Sequence, residues 1–202
     1  MPPADPDDTH LIERRLGGRT LLEGGFLEVR RDDVALPDGG RATREYIRHP
    51  GAVAVVPLLD DGRVVMVRQY RYPIGRAIIE FPAGKLDAGE DTLACAKREL
   101  AEETGYRARE WAFACEIHNA AAYSSESIWI YFARGLVAGP QKLDEGEFVE
   151  VQTYSEAELD ALAAQGALPD VKTHIGLHWL QRWRAGAWVL PWVADAGDLG
   201  TL

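Results

Sequence analysis

The sequence has few cysteines, a deficit of basic residues and no long apolar run. Two cysteines, Cys95 and Cys115, are too few for a disulfide framework, so we expect both thiols to be reduced and partly buried. The net charge of −10 argues against a nucleic-acid surface, because phosphate binding requires clustered Lys and Arg. No apolar run has the length of a membrane span, and the N-terminus lacks the features of a secretion signal. We therefore expect a soluble cytoplasmic protein that binds neither nucleic acid nor a membrane.

The length and the apolar content set the size of the fold. The chain has 202 residues, of which 47% are hydrophobic, and it contains six tryptophans. This length is typical of one domain, or of one domain with a small addition, and the apolar content is sufficient for a sizeable core. A small anionic substrate remains compatible with the negative net charge, because bound metal ions reverse the local electric field.

The order of strand and helix patterns indicates a mixed α/β fold preceded by a small sheet. The first ten residues are rich in Pro and Asp, a composition typical of loosely ordered segments. We predict four regions: a loosely ordered N-terminus over 1–18, an antiparallel sheet over 19–48, the main domain over 49–186, and a C-terminal tail without a predicted element over 187–202.

Turn and cap signals place elements within the main domain. The sequence Asp60-Asp61-Gly62 predicts a turn that returns the apolar strand over 51–59 as a hairpin with residues 64–70. Ser155 begins a capping-box pattern that opens a helix, and Asp170 is predicted to cap the last helix.

The segment 84–106 contains six carboxylates, and its second half has the pattern of an amphipathic helix. Leu93, Ala96 and Leu100 recur with helical spacing and give one apolar stripe. Gly105 then ends the helix, as glycine commonly does just after a helix C-terminus.

Three carboxylates are crowded on one arc of this helix. Glu99 and Glu103 are four residues apart and share a face, and Glu102 lies three residues after Glu99. Like charges at these spacings repel one another, and no basic residue follows within the next turn. A divalent cation with oxygen ligands would relieve the repulsion, and Mg²⁺ is the ion that such ligands favour. A solvated acidic face is the alternative interpretation of the spacing alone.

The complete spacing of the segment resembles the Nudix box of the Nudix hydrolases. Gly84, Glu90 and the run RELAEETG over 98–105 fill the fixed positions of that signature. Tyr106 stands where an aliphatic residue is commoner. The resemblance implies an α/β/α sandwich with a mixed sheet. It also implies metal-dependent hydrolysis of a nucleoside diphosphate linked to another group.

Further phrases resemble the ADP-ribose pyrophosphatase branch of this family. They are Arg44-Glu45, HPGAV over 49–53, VRQYR over 67–71, EFPAGKL over 80–86 and DVKT over 170–173. The implied reaction is hydrolysis of ADP-ribose to AMP and ribose 5-phosphate with Mg²⁺, or with Mn²⁺ in its place. The branch also implies a homodimer in which the swapped N-terminal sheet of one subunit completes the site of the other.

The resemblance implies roles for individual residues. Metal would be held by Glu99, Glu102, Glu103 and the carbonyl of Ala83, while Arg98 would orient these carboxylates. The side chains that would contact substrate are Phe26, Arg44, Glu45, Arg71 and Tyr123. Core packing is the alternative for Phe26, and a surface ion pair is the alternative for Arg71. The general base would be a loop glutamate, Glu145 or Glu147, and a solvated acidic turn is the alternative for that loop.

One departure from the branch keeps other functions open. The loop over 116–126 contains Tyr123 and lacks the proline that the branch typically carries. A tyrosine in this region is a feature of dinucleoside polyphosphate hydrolases. Hydrolysis of a GDP-sugar or of a dinucleoside polyphosphate is therefore an alternative. A non-catalytic nucleotide sensor is another, although the complete set of box glutamates argues against it.

Overall fold

The computed structural model describes residues 6–196, which divide into two compact units. The first contains the chain up to His49 together with Ala120–Glu126, and the second contains Pro50–Asn119 and the chain from Ser127. The predictions for residues 1–5 and 197–202 lie outside the described residues. Within 6–196, no helix combines the length and the apolar character that crossing a membrane requires.

The first unit contains an antiparallel sheet of three strands that pair in sequence order. Its strands are β1 (Arg14–Glu23), β2 (Glu28–Ala35) and β3 (Arg41–Arg48). A short 3-10 helix over Pro6–His10 precedes them. The predicted antiparallel sheet is therefore present, but it begins before residue 19.

The early start of β1 corrects the prediction that residues up to 18 are loosely ordered. Two glycines, Gly17 and Gly18, made a strand interior unfavourable in the sequence. In the structure, a Cβ at Gly18 would lie 1.8 Å from Oδ1 of Asp32, so glycine leaves space for this buried carboxylate. Arg15 Nε donates to Oδ2 of Asp32 at 2.8 Å, which ties the start of β1 to β2.

A mixed sheet of five strands forms the centre of the second unit. Its strands are β4 (Ala52–Pro57), β7 (Ala83–Lys85), β8 (Tyr106–Ile117), β9 (Ile128–Ala138) and β11 (Val193–Ala194). The order is β11-β8-β9-β4-β7, in which β4 and β9 run parallel and the other neighbours run antiparallel. The last strand lies in the tail over 187–202, for which no element was predicted.

A second sheet in this unit contains β10 (Val149–Tyr154), β5 (Val64–Arg71) and β6 (Arg76–Glu80), in that order. The predicted hairpin between 51–59 and 64–70 is therefore wrong. The two strands share a single bridge, Leu58 with Val64, and β5 then pairs with β10 and β6. Both edges of β4 are already occupied by β9 and β7, so β5 has no free edge to join.

Helices cover both faces of the five-stranded sheet. They are α1 (Thr92–Thr104), α2 (Glu156–Ala164) and α3 (Val171–Arg184). Successive residues of β4 point to opposite faces, so Val55 packs in a cluster with Leu100 of α1, whereas Val56 packs in a cluster with Leu177 of α3. This arrangement confirms the predicted α/β/α sandwich.

The predicted helix ends are confirmed. Gly105 ends α1 in the left-handed conformation, and the start of this helix has a cap that was not predicted, the side chain of Asp91, which accepts from two backbone N–H groups in the first turn. Ser155 forms the predicted capping box of α2, and the Asp170 side chain caps α3. The cysteines are also free thiols, with Cys95 buried and Cys115 half-buried.

Replacing Gly105 by Ala is expected to destabilise the protein more than replacing Gly166 by Ala. Both glycines have left-handed backbones, with φ of 73° and 70°. A Cβ at position 105 would lie 2.4 Å from the carbonyl oxygen of Gly139, whereas one at position 166 meets nothing within 4 Å. Left-handed backbone alone costs a non-glycine residue about 1–2 kcal/mol.

We expect Gly166→Ala to lose about 1 kcal/mol of unfolding free energy for this reason. Gly105→Ala should lose at least about 1 kcal/mol more, because the carbonyl of Gly139 must also move. Urea unfolding of both variants beside the unmodified protein measures the difference. Equal losses would contradict the close approach between α1 and the chain at Gly139.

Candidate active site

The carboxylate of Glu99 lies directly on the backbone of β7. A Cβ built at Gly84 would lie 1.9 Å from Oε1 and 1.9 Å from the carboxyl carbon of Glu99. Any side chain at position 84 would therefore displace the carboxylate. This contact explains physically why a glycine in β7 belongs with a glutamate in α1.

Glu103, one turn later on α1, is also turned inward. Its side chain is buried, and its Oε2 accepts the backbone N–H of Ala83 at 3.0 Å. Burial, together with the charges of Glu99, Glu80 and Glu147, raises the pKa of Glu103 to about 8, against the opposing hydrogen bond from Ala83. Burial likewise raises the pKa of Glu99, although Arg98 opposes the rise.

Arg98 lies between the carboxylates of Glu90, Glu99 and Glu102. Its Nη1 donates to Oε1 of Glu99 at 2.8 Å and to Oε2 of Glu102 at 3.0 Å. The other side of the guanidinium binds Glu90, with Nε and Nη2 donating to its two oxygens at 2.9 and 3.0 Å. These hydrogen bonds hold the pKa of Glu90 at about 2. Arg98 therefore orients three carboxylates at once.

The donors of this cluster fit a hard divalent cation. Among residues 6–196, no three His, Cys, Asp or Glu side chains are arranged as a ready set of metal ligands. Two of the candidate oxygens, on Glu99 and Glu102, instead share the Nη1 group of Arg98. Burial raises the pKa of both Glu99 and Glu103 because it disfavours their charged forms, which a nearby cation would stabilise. Carboxylate oxygens are the ligands that Mg²⁺ and Mn²⁺ prefer.

A buried ion cluster that the sequence analysis did not identify adjoins these carboxylates. Glu80 is 1% exposed and accepts two hydrogen bonds from Arg71, from Nε at 2.7 Å and from Nη2 at 2.9 Å. Lys172 Nζ also donates to Glu80, and it binds Oδ1 of Asp170 at 3.0 Å. Arg71 thus forms an ion pair, but with a buried carboxylate rather than at the surface, and Glu103 contributes to its electrostatic environment.

The acidic loop after β9 contains the two candidate general bases. Glu145 and Glu147 are both exposed, and the N–H of Glu147 donates to the carbonyl of Asp144 at 3.1 Å, which closes a turn through Gly146. The charge of Glu147 contributes to the raised pKa values of Glu99 and Glu103. Glu147 therefore lies within electrostatic reach of both box carboxylates, which favours it over Glu145.

The remaining candidate substrate contacts belong to the first unit. Arg44 Nε donates to Oε2 of Glu13 at 2.9 Å, and Glu45 lies 3.5 Å from Nη1 of Arg31. Both charged side chains are thus engaged in ion pairs within the first unit. Their contact with substrate stays a prediction.

The two aromatic candidates of the first unit have exposed rings. Phe26 is 57% exposed and meets the ring of His49 edge to face, with 6.4 Å between centroids. Core packing, the alternative for Phe26, does not describe a ring so exposed. Tyr123 is 59% exposed, and its carbonyl accepts the backbone N–H of Ile47 at 2.8 Å. The roles of both rings in binding stay predictions.

Comparison with known proteins identifies the family. Residues 48–174 match the NUDIX domain, and residues 13–47 match the nucleoside diphosphate sugar hydrolase N-terminal domain. The first match covers more than half of the chain, so the chain belongs to the Nudix family, whose hydrolases generally use a divalent metal ion. It is a Nudix hydrolase, as its resemblance to the Nudix box implied.

Two relatives are similar over most of their length. An ADP-ribose pyrophosphatase of Bacillus subtilis is 36% identical, over 85% of this chain and 94% of the relative. A methanol dehydrogenase activator of Bacillus methanolicus is 37% identical, over 84% of this chain and 92% of the relative. The solved structure of an ADP compounds hydrolase has a TM-score of 0.76 at 24% identity, over 86% of this chain and 95% of that one, which confirms the fold.

Replacing Glu103 by Gln is expected to stabilise the metal-free protein at alkaline pH. The pKa of Glu103 is about 8 in the folded state against an ordinary value of 4.5, so between these values the folded state binds the additional proton. Stability therefore falls as pH rises through this window, and a glutamine avoids the loss. Each pKa unit corresponds to about 1.4 kcal/mol.

Urea unfolding with a chelator at pH 5 and at pH 9 measures this effect. The unfolding free energy of Glu103→Gln minus that of the unmodified protein should rise by at least about 1 kcal/mol between the two values. The control is Glu145→Gln, which removes an exposed carboxylate that is not among the charges acting on Glu103 and should show no such rise. Parallel pH dependences for the unmodified protein and Glu103→Gln would contradict the burial of an ionising carboxylate.

Proposed function

We propose that this Nudix hydrolase cleaves the diphosphate of ADP-ribose and releases AMP and ribose 5-phosphate. The observation that carries the proposal is the pair of α1 carboxylates that face β7, the half-buried Glu99 and the buried Glu103, with Arg71 in the same electrostatic neighbourhood. An anionic group that binds together with a divalent cation complements this arrangement. The N-terminal match to nucleoside diphosphate sugar hydrolases and the name of the Bacillus subtilis relative support ADP-ribose as the substrate.

The proposed metal is Mg²⁺, with Mn²⁺ as a substitute. Its ligands would be the carboxylates of Glu99, Glu102 and Glu103 and the carbonyl of Ala83. A bound divalent ion neutralises charge on the diphosphate and lowers the pKa of a bound water. Glu102 must release its share of Arg98 to act as a ligand, since Nη1 of Arg98 lies 3.0 Å from its Oε2.

Residues of the chain supply positioning and proton transfer in this proposal. Arg71 donates two of its N–H groups to Glu80, which holds the guanidinium in one plane. Its other N–H groups would bind phosphate oxygens. Glu147 accepts the proton of the attacking water as general base. Arg98 keeps the box carboxylates aligned while they are free of metal.

The nucleoside side of the substrate is assigned to the first unit by resemblance. Phe26 would stack on the base, Arg44 and Glu45 would hold the nucleobase side, and Tyr123 would make a further contact. The proposal also includes a homodimer with swapped N-terminal sheets, a cytoplasmic location, and no binding to nucleic acid or membranes. The net charge of −10 supports the last point.

A substrate panel tests the proposed activity. Purified protein is incubated with ADP-ribose, a GDP-sugar or a dinucleoside polyphosphate, in Mg²⁺, in Mn²⁺ or in a chelator, and the nucleotide products are separated. We expect kcat/KM for ADP-ribose to exceed the others at least about tenfold, a difference of about 1.4 kcal/mol, and to vanish in the chelator.

Each other outcome of the panel has a defined meaning. Preference for the GDP-sugar or the dinucleoside polyphosphate would replace the substrate while keeping the reaction. Nucleotide binding without turnover in either metal would instead favour the sensor alternative. Glu99→Gln serves as the inactive control, because it removes a proposed ligand.

Glutamine substitutions identify the general base. Glu147→Gln should lower kcat at least about tenfold, because general base catalysis contributes about 10²–10⁴. Glu145→Gln changes the same residue type in the same turn and should leave kcat within about threefold, a shift of roughly 0.7 kcal/mol. Steady-state kinetics with saturating substrate and metal gives both values. If both variants remain within about threefold, the base lies outside this turn.

A further inference from the structure

The chain after β9 runs antiparallel to the last turn of α1 and is hydrogen-bonded to it. The N–H of Gly139 donates to the carbonyl of Gly105 at 2.7 Å, and the N–H of Lys142 donates to the carbonyl of Glu102 at 3.0 Å. Between them, Nε2 of Gln141 donates to the carbonyl of Glu103 at 2.6 Å. A helix leaves its last carbonyls without partners inside the helix, and this segment supplies partners for those of α1.

Gln141 makes a second contact that spans the acidic loop. The same Nε2 donates to the carbonyl of Val149 at 3.3 Å, and Val149 is the first residue of β10. Both partners are carbonyl oxygens, which only accept, so the amide nitrogen rather than the amide oxygen must face them. One side chain therefore joins the helix, the start of the loop and the end of the loop.

The loop closed in this way is the one with the candidate bases. Between Gln141 and Val149 the chain forms the turn from Asp144 to Glu147. The α1 carbonyl that Gln141 binds belongs to Glu103, whose side chain is the buried carboxylate. The backbone carbonyl of Glu103 thus binds the loop anchor, while its side chain belongs to the proposed metal site.

We propose that Gln141 is a positioning residue that fixes the acidic turn at its working distance from the carboxylates of α1. The anchoring stands on the hydrogen bonds alone, whereas its effect on turnover rests on the proposed function. Both hydrogen bonds of the Gln141 side chain go to backbone carbonyls, those of Glu103 and Val149, so it acts through the placement of the loop. Its side chain is largely exposed, and its loss should free the loop without unfolding the domain.

Limited proteolysis tests the anchoring. Gln141→Leu keeps the approximate size of the side chain and removes both N–H donors. The matched control is Gln181→Leu, which removes the donor of a hydrogen bond between α3 and α2, from Nε2 to Oδ1 of Asp160 at 3.1 Å.

A glutamate-specific protease, with the cleavage sites mapped by mass spectrometry, should cut after Glu145 or Glu147 at least about tenfold faster in Gln141→Leu. The control should match the unmodified protein, and thermal unfolding should show both variants folded. Equal cleavage in all three proteins would overturn the proposal.

A double-mutant cycle tests the effect on turnover. Gln141→Leu should lower kcat at least about fivefold with KM within about twofold, because it acts through the base and not through substrate contacts. Gln141→Leu is then combined with whichever loop variant, Glu147→Gln or Glu145→Gln, lowers kcat by itself. In that background Gln141→Leu should change kcat by less than about twofold. If Gln141→Leu acted through a general loss of structure, its loss of kcat would multiply with that of the glutamate substitution. Such multiplication would overturn the proposal.

The two experiments separate the inference from the proposed function. If the unmodified protein hydrolyses no member of the substrate panel, or if neither loop glutamate matters, that part of the proposed function is wrong and proteolysis alone decides the anchoring. If hydrolysis proceeds but Gln141→Leu matches the unmodified protein in kcat and in cleavage, only the anchoring is wrong.

Discussion

The packing of two carboxylates, one buried and one half-buried, against the backbone of β7 is the constraint on which the rest of the site depends. Anions lose hydration when buried, and they are tolerated only where hydrogen bonds or cations replace the lost water. The structure supplies these replacements one by one. Gly84 has no side chain to displace Glu99, the N–H of Ala83 faces Glu103, and Arg98 shares Nη1 between Glu99 and Glu102.

The cations around this pair are divided among other anions. Arg98 gives two of its hydrogen bonds to Glu90, and Arg71 gives two to Glu80. Neither guanidinium is therefore fully available to neutralise the buried pair, and the pKa of Glu103 remains near 8. The chain holds arginines beside the carboxylates and still leaves a deficit of positive charge, which a divalent ion is suited to fill.

The parts of the fold that were predictable from sequence are those determined locally. The caps at Ser155 and Asp170 depend on side chains within three residues of the backbone groups that they satisfy. The predicted hairpin between β4 and β5 was wrong because strand pairing depends on which edges other strands occupy. The predicted start of β1 was wrong because a glycine of this strand leaves space for a carboxylate on the neighbouring strand, which the local sequence does not indicate.

The same distinction separates the parts of the site. The box residues were recognisable because their spacing follows from one helix, so a pattern in the sequence corresponds to a cluster in space. Glu80 was missed because its importance arises only where the ends of β5 and β6 meet the start of α3. The spacing of residues 71, 80 and 172 in the sequence does not indicate that they meet. Likewise, Glu145 and Glu147 are equivalent in sequence, and only the conformation of the turn distinguishes them.

The helix α1 organises the site with two kinds of chemical group. Its side chains point to β7 and hold the charge that a metal ion would neutralise, while its last carbonyls accept from the segment that leads into the acidic loop. Carbonyl directions are fixed by the helix geometry and do not vary with the side chain. The residues of the turn beyond Gln141 can therefore change while the attachment to the helix is preserved. A rigid element thus sets the geometry, and the exposed turn beyond the attachment is free to vary in the residues it presents.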